Sequence, residues 1–455
     1  MYSINENYSK VSWMAITAVS LSIVIAMLDS TIANVALPVI ARDFQVSASA
    51  SIVIVNAYQF AVVAALVPLA ALGKKLGNKS VFETGVLLFA ISSLGCAISD
   101  TLNMLTIFRV IQGFGAAAIL SVNAALIKEI YPEKLLGRGL AINVMIVSVS
   151  AAAGPSIAAA IMSMASWNCL FTINVPIAIV SLLLSMLYLN KQPIQRTRFD
   201  ISGAMLVFTL TIFLACFVLG MTRENILMAL CGTVGSVTML LWLFDNQRRK
   251  MNQALIPLSV FADRTFSLSL MMSTLSYCTQ LLAYVSLPFY FHNILHRDVV
   301  QVGLLLTAWP LATTITSLVA GELLKRHNPN VIASLGLGML VCGMVTMTVL
   351  PASPGNFDII WRVALCGAGF GLFQSPNNYL IMTSVANENV SVASGLLGSS
   401  RLIGQIIGSA MVAIYLNISE AHGITLSLIT GACFSLFSLL VSYVRYMTGK
   451  RNGSG

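Results

Sequence analysis

Charge is what this sequence has least of. Of 455 residues, 9% are Asp, Glu, Lys or Arg, against about a quarter in an ordinary soluble domain. A soluble fold could not clothe its surface with so few charges, so the missing polar surface is read as lipid-facing. Catalytic and metal-binding patterns are missing too. The four histidines (His292, His296, His327 and His422) lie near loops, and the eight cysteines sit singly inside apolar runs without a CxxC pair. No HExxH or GxSxG occurs, which leaves neither a zinc cluster nor a hydrolase elbow to assign. Gly73-Lys-Lys-Leu-Gly-Asn-Lys79-Ser80 lacks the Gly-Lys-Ser spacing of a phosphate-binding loop. Neither an enzyme nor an ATP-driven pump is expected, and no cofactor or metal.

What is present is apolar sequence, 57% of the chain. A helix needs about 20 such residues to cross a bilayer. On that scale there are fourteen candidate spans, at 13–37, 50–71, 81–99, 101–126, 138–162, 168–189, 200–219, 226–244, 267–291, 299–321, 331–350, 358–381, 393–416 and 424–446. The expected class is therefore an all-α polytopic membrane protein. The longest connection, from Asp245 to Phe266, leaves no room for a separate soluble domain.

The basic residues test this count. With the N-terminus inside, nineteen of the 25 Lys and Arg fall in inside segments, among them Lys74, Lys75, Lys79, Arg248, Arg249, Lys250 and Arg445. Three (Arg42, Arg223, Arg297) fall outside, and three (Arg109, Arg362, Arg401) lie within spans. This bias predicts a multi-pass protein with both termini cytoplasmic. The formal charge of +9 is then an orientation signal, and no nucleic-acid partner is implied.

A repeat runs through the pattern. Phe108-Arg109-Val110 precedes a glycine-rich stretch in span 4, and Trp361-Arg362-Val363 does so in span 12, 253 residues later. Gly73 after span 2 and Gly321 after span 10 are 248 residues apart. The expected organisation is an N-terminal six-helix half (1–190), two extra helices (191–250) and a C-terminal half with its tail (251–455). Repeated halves of this kind mark transporters, with cargo bound between them near the midplane.

Of sixteen acidic residues, fifteen lie in loops or near helix ends; Asp29 lies deep in span 1. An ionised carboxylate there must face the bundle interior and be paired, or hold a proton. Asp29 is nine residues, roughly 13 Å, from the outer end of span 1, and Arg109 is eight residues, roughly 12 Å, from the outer end of span 4. Depth alone predicts that they meet. Gly154-Pro155 of span 5 lies in nearly the same layer, where proline frees a carbonyl and small residues allow close approach. Gln112 and Asn34 add polar groups nearby.

These residues resemble the major facilitator superfamily, and within it the fourteen-span drug:proton antiporters of bacterial inner membranes. Leu28-Asp29-Ser-Thr-Ile-Ala-Asn34-Val-Ala-Leu-Pro38 is similar to that group's first-helix motif. Arg109-Val-Ile-Gln112-Gly113-Phe-Gly115 is similar to its span 4 motif, whose arginine is implicated in proton transfer. Ala153-Gly154-Pro155 matches the core of the antiport motif, and Trp167 with Phe171-Thr-Ile-Asn174-Val-Pro176 matches the entry to span 6. Four positions depart. Lys74 stands where the family places an acid that latches the halves, with Glu322 in the equivalent second-half loop as a possible compensator. Asn168 replaces an arginine, Ala158, Ala159 and Ala160 replace glycines of span 5, and the early tryptophan of span 2 is missing.

The resemblance implies proton-coupled export of small lipophilic or cationic compounds by a monomer in the lipid bilayer, with protons as the energy source. A metabolite symporter or uniporter, and a non-transporting receptor or scaffold, stand as alternatives. The expected proton-coupling residues are Asp29 and Arg109. The expected substrate-binding residues are Asn34, Asn56, Gln59, Gln112, Tyr277, Gln280, Tyr284, Phe370, Phe373, Gln374 and Gln405. Gating is expected of Gly73, Lys74, Gly77, Gly113, Gly115, Gly154, Pro155 and Glu322. Arg401 reads as a structural pair or helix-end contact before a ligand; a single deep acid suits lipophilic cations, yet Arg362 and Arg401 would equally suit an anionic metabolite.

Overall fold

The computed structural model describes residues 13–132, 136–190, 201–222, 225–250, 258–351, 353–385 and 390–452. Among them there is no strand, and fourteen long helical rods succeed one another. The first half comprises α1 (Trp13–Asp43), α2 (Ala48–Ser51 and Val53–Leu76), α3 (Asn78–Ala97), α4 (Leu102–Ile130), α5 (Leu136–Met162) and α6 (Cys169–Thr172 and Asn174–Tyr188). Then come α7 (Ile201–Thr222) and α8 (Ile226–Lys250). The second half comprises α9 (Arg264–Phe289), α10 (Val299–Leu323), α11 (Pro329–Thr348), α12 (Asn356–Thr383), α13 (Val390–Ile418) and α14 (Glu420–Asn452). Among the described residues, twelve of these rods are long and apolar enough to cross a membrane. The other two are α5, of which Ala153–Met162 forms a shorter apolar helix, and α9, which is diluted by hydroxyl side chains from Thr265 to Thr279.

The helix ends explain where acids are tolerated. Asp263 accepts from the Phe266 amide at 2.8 Å and Asp298 from the Gln301 amide at 2.7 Å, capping α9 and α10. A carboxylate at that position meets orphan amides and the positive end of the helix dipole. At the opposite pole, Lys79 is buried and donates to the carbonyls of Leu189 (2.7 Å) and Met186 (3.0 Å) at the end of α6.

Helices of a membrane protein associate without much hydrophobic drive, so close packing at small residues carries the burden. The two halves solve this alike. A Cβ on Gly113 of α4 would lie 2.6 Å from the Tyr58 carbonyl of α2, and one on Gly115 2.7 Å from the Phe89 amide of α3. In α12, a Cβ on Gly367 would lie 2.1 Å from the Trp309 carbonyl of α10, and one on Gly369 2.4 Å from the Leu340 amide of α11. Thus α4 is wedged between α2 and α3 as α12 is between α10 and α11. The added pair, α7 and α8, forms a hairpin whose α7 lies on α2, with Phe208 stacked on Phe114 of α4.

The halves touch at one end. Ser156 and Thr307 hydroxyls are 2.6 Å apart, Ser49 donates to the Ala413 carbonyl at 2.7 Å, and Gly303 leaves space for the Pro155 carbonyl. This is the end that the lysine and arginine bias assigns to the outside.

Three sequence expectations are corrected. Gly73 and Lys74 do not open a loop: α2 continues to Leu76, and the turn is made at Gly77, whose φ of 93° suits glycine. The side chain of Lys74 lies outside the described residues. Glu322 does not reach the other half; it pairs with Lys325 on its own helix end at 2.7 Å, both exposed. Arg445, counted among the inside loop charges, is buried. It donates to Ser269 (2.6 Å), Asn377 (2.8 Å) and Asn330 (2.8 Å), tying α14 to α9, α12 and α11.

Gly369→Val should lower stability by about 1–3 kcal/mol through overpacking, whereas Gly338→Ala on α11 points into open space and should be neutral. Thermal unfolding of both variants in detergent checks this; equal melting temperatures would contradict the packing described.

Candidate functional site

The site starts from one tightly packed contact. Gly154 of α5 has no side chain where a Cβ would fall 1.9 Å from Thr31 Oγ1, so α5 closes against α1 beside Asp29. Ser30 and Thr31 turn their hydroxyls back to the carbonyls of Met27 and Leu28. Asp29 alone of this trio reaches across to other helices.

Asp29 is 2% exposed and Arg109 1% exposed, and Arg109 Nη1 donates to Asp29 Oδ2 in a short ion pair. Gln112, one turn along α4, accepts from the same Nη1 at 2.7 Å and gives its amide hydrogens to Asp29 Oδ1 (3.1 Å) and Ser93 (2.8 Å). From α6, Asn174 Nδ2 donates to Asp29 Oδ1 at 3.0 Å. Asp29 accepts at both oxygens and donates nowhere, the hydrogen-bonding pattern of a carboxylate. Around Arg109, Nε donates to the Ile54 carbonyl at 3.3 Å, and its guanidinium carbon lies 4.3 Å from the Tyr58 ring centroid and 5.6 Å from that of Phe171. The absence of a side chain at Gly113 is what brings α2 close enough for Tyr58 to lie against the guanidinium.

A buried pair of opposite charges so furnished is a two-state device. While both partners stay, each carboxylate oxygen has a donor and Arg109 Nε and Nη1 have acceptors; neutralising the carboxylate would leave Arg109 without its counter-charge.

The structure thus joins Asp29 and Arg109, but it redistributes several expected substrate contacts. Gln112 is fully buried and engaged in the charge network, so it has no free group for cargo. Phe373 is 2% exposed and packs in the second-half core with Met272, Ala333, Leu337 and Val441. Asn34 donates to the Ser30 carbonyl within α1. Gln59 accepts from Ser409 at 3.3 Å, a polar contact between halves. Asn56 borders a separate lateral cavity of about 410 Å³ between α2, α4 and α7, with Phe60, Thr106, Phe114 and Phe208.

Tyr277, Tyr284, Phe370 and Gln374 do gather. Gln374 Nε2 donates to the Tyr277 hydroxyl at 2.5 Å, Phe370 meets Tyr277 edge-on at 5.3 Å, and Trp309 joins Phe370 (6.5 Å) to Tyr284 (5.3 Å). Gln280 and Gln405 are partly exposed.

Sequence reasoning did not pick out Asn174, Ser93, Tyr58 or Phe171 as site residues. Asn174 carried a usable signal, since five residues into α6 it lies only slightly above the layer of Asp29. Asn168, which replaces an arginine, donates to the Ala97 carbonyl at 2.7 Å and secures the end of α3. Trp167 beside it donates to Asp43 at 2.8 Å.

Asp29→Asn should cost about 3–5 kcal/mol because it strands the Arg109 charge, and Asp29→Asn/Arg109→Gln should recover more than half of that. A double-mutant cycle by unfolding in detergent measures the coupling; strictly additive losses would show that the two charges do not depend on each other.

Comparison with known proteins identifies the frame around this site. The model of the Major Facilitator Superfamily matches residues 19–409. The chain is 44% identical over 433 residues to YebQ of Escherichia coli, an uncharacterized transporter, covering 95% of both chains. It is 27% identical to the riboflavin transporter RibZ of Clostridioides difficile, over 88% of this chain and 87% of that one. It is also 27% identical to the multidrug resistance protein Stp of Mycobacterium tuberculosis, over 88% of this chain and 75% of that one. In three dimensions it resembles a crystal structure of a D-xylose-proton symporter, with a TM-score of 0.70 at 14% identity, covering 95% and 98% of the two chains. With the family model spanning most of its length and both halves packed alike around α4 and α12, this chain belongs to the major facilitator superfamily of membrane transporters.

Proposed function

We propose that this protein is a fourteen-span, proton-coupled exporter of small organic compounds, working as a monomer by alternating access in the bacterial inner membrane with both termini cytoplasmic. The observation that carries the reading is the sealed Asp29–Arg109 pair, with its single deep carboxylate in the first half. Proton binding can drive transport only if it favours one conformation over the other. In the conformation described, Asp29 is matched by Arg109, Gln112 and Asn174 and has no path to water. Loading a proton therefore needs a second conformation in which α1, α4 and α6 expose that layer. The polar contacts between halves at the outer end suit a carrier resting closed on the outside.

The drug-resistance relative supports export. The expectation of a cationic cargo rested on Asp29 as a free deep acid, and in this conformation its lone pairs are taken. A second reading, metabolite symport, draws on the relative named for riboflavin transport.

Proteoliposomes with a pH dye inside, challenged from outside with riboflavin and a panel of drugs, separate the readings. Antiport makes the lumen alkaline as cargo enters, symport makes it acidic, and uniport leaves it unchanged. Alkalinisation is expected, falling at least about ten-fold in Asp29→Asn, whose lost carboxylate removes the proton site. Undiminished alkalinisation by Asp29→Asn would remove Asp29 from the coupling step.

A further inference from the structure

Arg401 is the one deep arginine whose charge the structure leaves unmatched. Among the described residues it enters no hydrogen bond and no ion pair, while Arg109 pairs with Asp29 and Arg362 with Asp358 at 3.1 Å. Its depth makes this costly. It lies eleven residues, roughly 16 Å, from the start of α13 at Val390, close to the middle of the helix. An intramembrane cation is tolerated where it meets a counter-charge or a watery cavity.

The phase of α13 tells where Arg401 points. One stripe faces α9: Ser400 bonds Ser273 at 3.2 Å, Gly404 admits the Thr274 carbonyl and Gly408 the Cys278 carbonyl. A second stripe faces the first half: Leu402 joins an apolar cluster otherwise made of first-half residues, Ile406 and Ala410 pack with Phe60, and Ser409 bonds Gln59. A third stripe, Ile403 and Ile407, is 43% and 41% exposed on the outer surface of the bundle. At roughly 100° per residue, Arg401 and Gln405 fall in the sector left over, between α9 and the first half. Arg401 is partly exposed there.

We infer that Arg401 is the recognition point for an anionic group on the cargo, a carboxylate or phosphate held between the two halves. The guanidinium supplies a planar fork that matches either oxyanion. Gln405 lies one turn along the same sector, and Tyr277, Gln374 and Phe370 supply polar and aromatic flanks for an organic body. No carboxylate in the described gap competes for the guanidinium. The inference rests on the reading that the gap between halves carries the cargo, and it names the charge that the cargo bears.

Equilibrium binding tests it without a proton gradient and without Asp29, so its failure would leave proton coupling standing. The full chain in a neutral maltoside detergent is dialysed against radiolabelled benzoate, phenyl phosphate or benzyltrimethylammonium, three probes of similar aromatic size. Saturable binding of at least one anion is expected, with the cation unbound. Arg401→Gln should weaken anion binding at least about ten-fold, the scale of a lost charge-assisted bond, and Arg401→Lys should fall between. Removing an unmatched charge at this depth should leave the melting temperature equal or higher, which checks the fold of both variants. Anion binding unchanged in Arg401→Gln, or saturable binding of the cation without either anion in the wild-type chain, would overturn the assignment.

Discussion

A carboxylate and a guanidinium, both almost wholly removed from solvent, have to share one shell of hydrogen bonds, and the first half is arranged around that necessity. Asp29 draws donors from α4 and α6, while Arg109 takes a carbonyl and an aromatic face from α2 and a second face from α6. Four helices are therefore held in one register by charge. Sliding any of them would leave a buried polar group without its partner, at a cost of several kcal/mol for a charged group. Such a half moves most readily as a rigid body, which is what alternating access asks of it. The glycines at 113, 115 and 154 serve the same end, because a shell this tight needs backbones to approach within side-chain reach.

The second half repeats the packing without repeating the chemistry. Gly367 and Gly369 wedge α12 as Gly113 and Gly115 wedge α4, yet Arg362 finds its acid four residues back on its own helix. That pairing neutralises the charge locally and ties no second helix by ionic contact. At the inner end Arg445 joins α14 to Ser269, Asn330 and Asn377 on three other helices. A charge pair that joins two helices at depth is thus a feature of the first half. The second contributes aromatic rings and amides, gathered at Tyr277, Phe370 and Gln374.

What could be read from sequence divides along a physical line. Depth was legible, because a helix rises evenly and a span has two ends; Asp29 and Arg109 could be placed in one layer by counting. Rotation was not. Helices such as α1 and α4 are apolar on nearly every face, so their patterns carry no record of which side meets a neighbour. Gln112 was therefore read as facing cargo when it faces Asp29, and Phe373 when it faces the second-half core. Arg445 was assigned to a loop because a basic residue near a span end ordinarily snorkels outward. Only the convergence of three polar residues from other helices makes its burial tolerable, and such convergence leaves no trace within one segment. The same limit hid Arg401, whose direction depends on two stripes of small and apolar residues that only tertiary packing distinguishes.

Rotation also bears on how cargo and conformation are linked. Tyr58 lies against Arg109 in the first half, while Arg401 lies on the sector of α13 between α9 and the first half. One carboxylate serves both sides, and Arg109 holds it. On the proposed reading, rocking the halves to shut the open end would take Arg401 out of water and lower the dielectric around it, so its unmatched charge would become more expensive. An empty carrier then resists closure, whereas one holding an oxyanion closes over a neutral pair. On the proposed reading, this difference ties the conformational change to the presence of cargo, because a ligand shifts an equilibrium only by its differential energy between the two states. The acid in the first half would supply the corresponding difference for the proton. Coupling needs both terms, one from each half of the bundle.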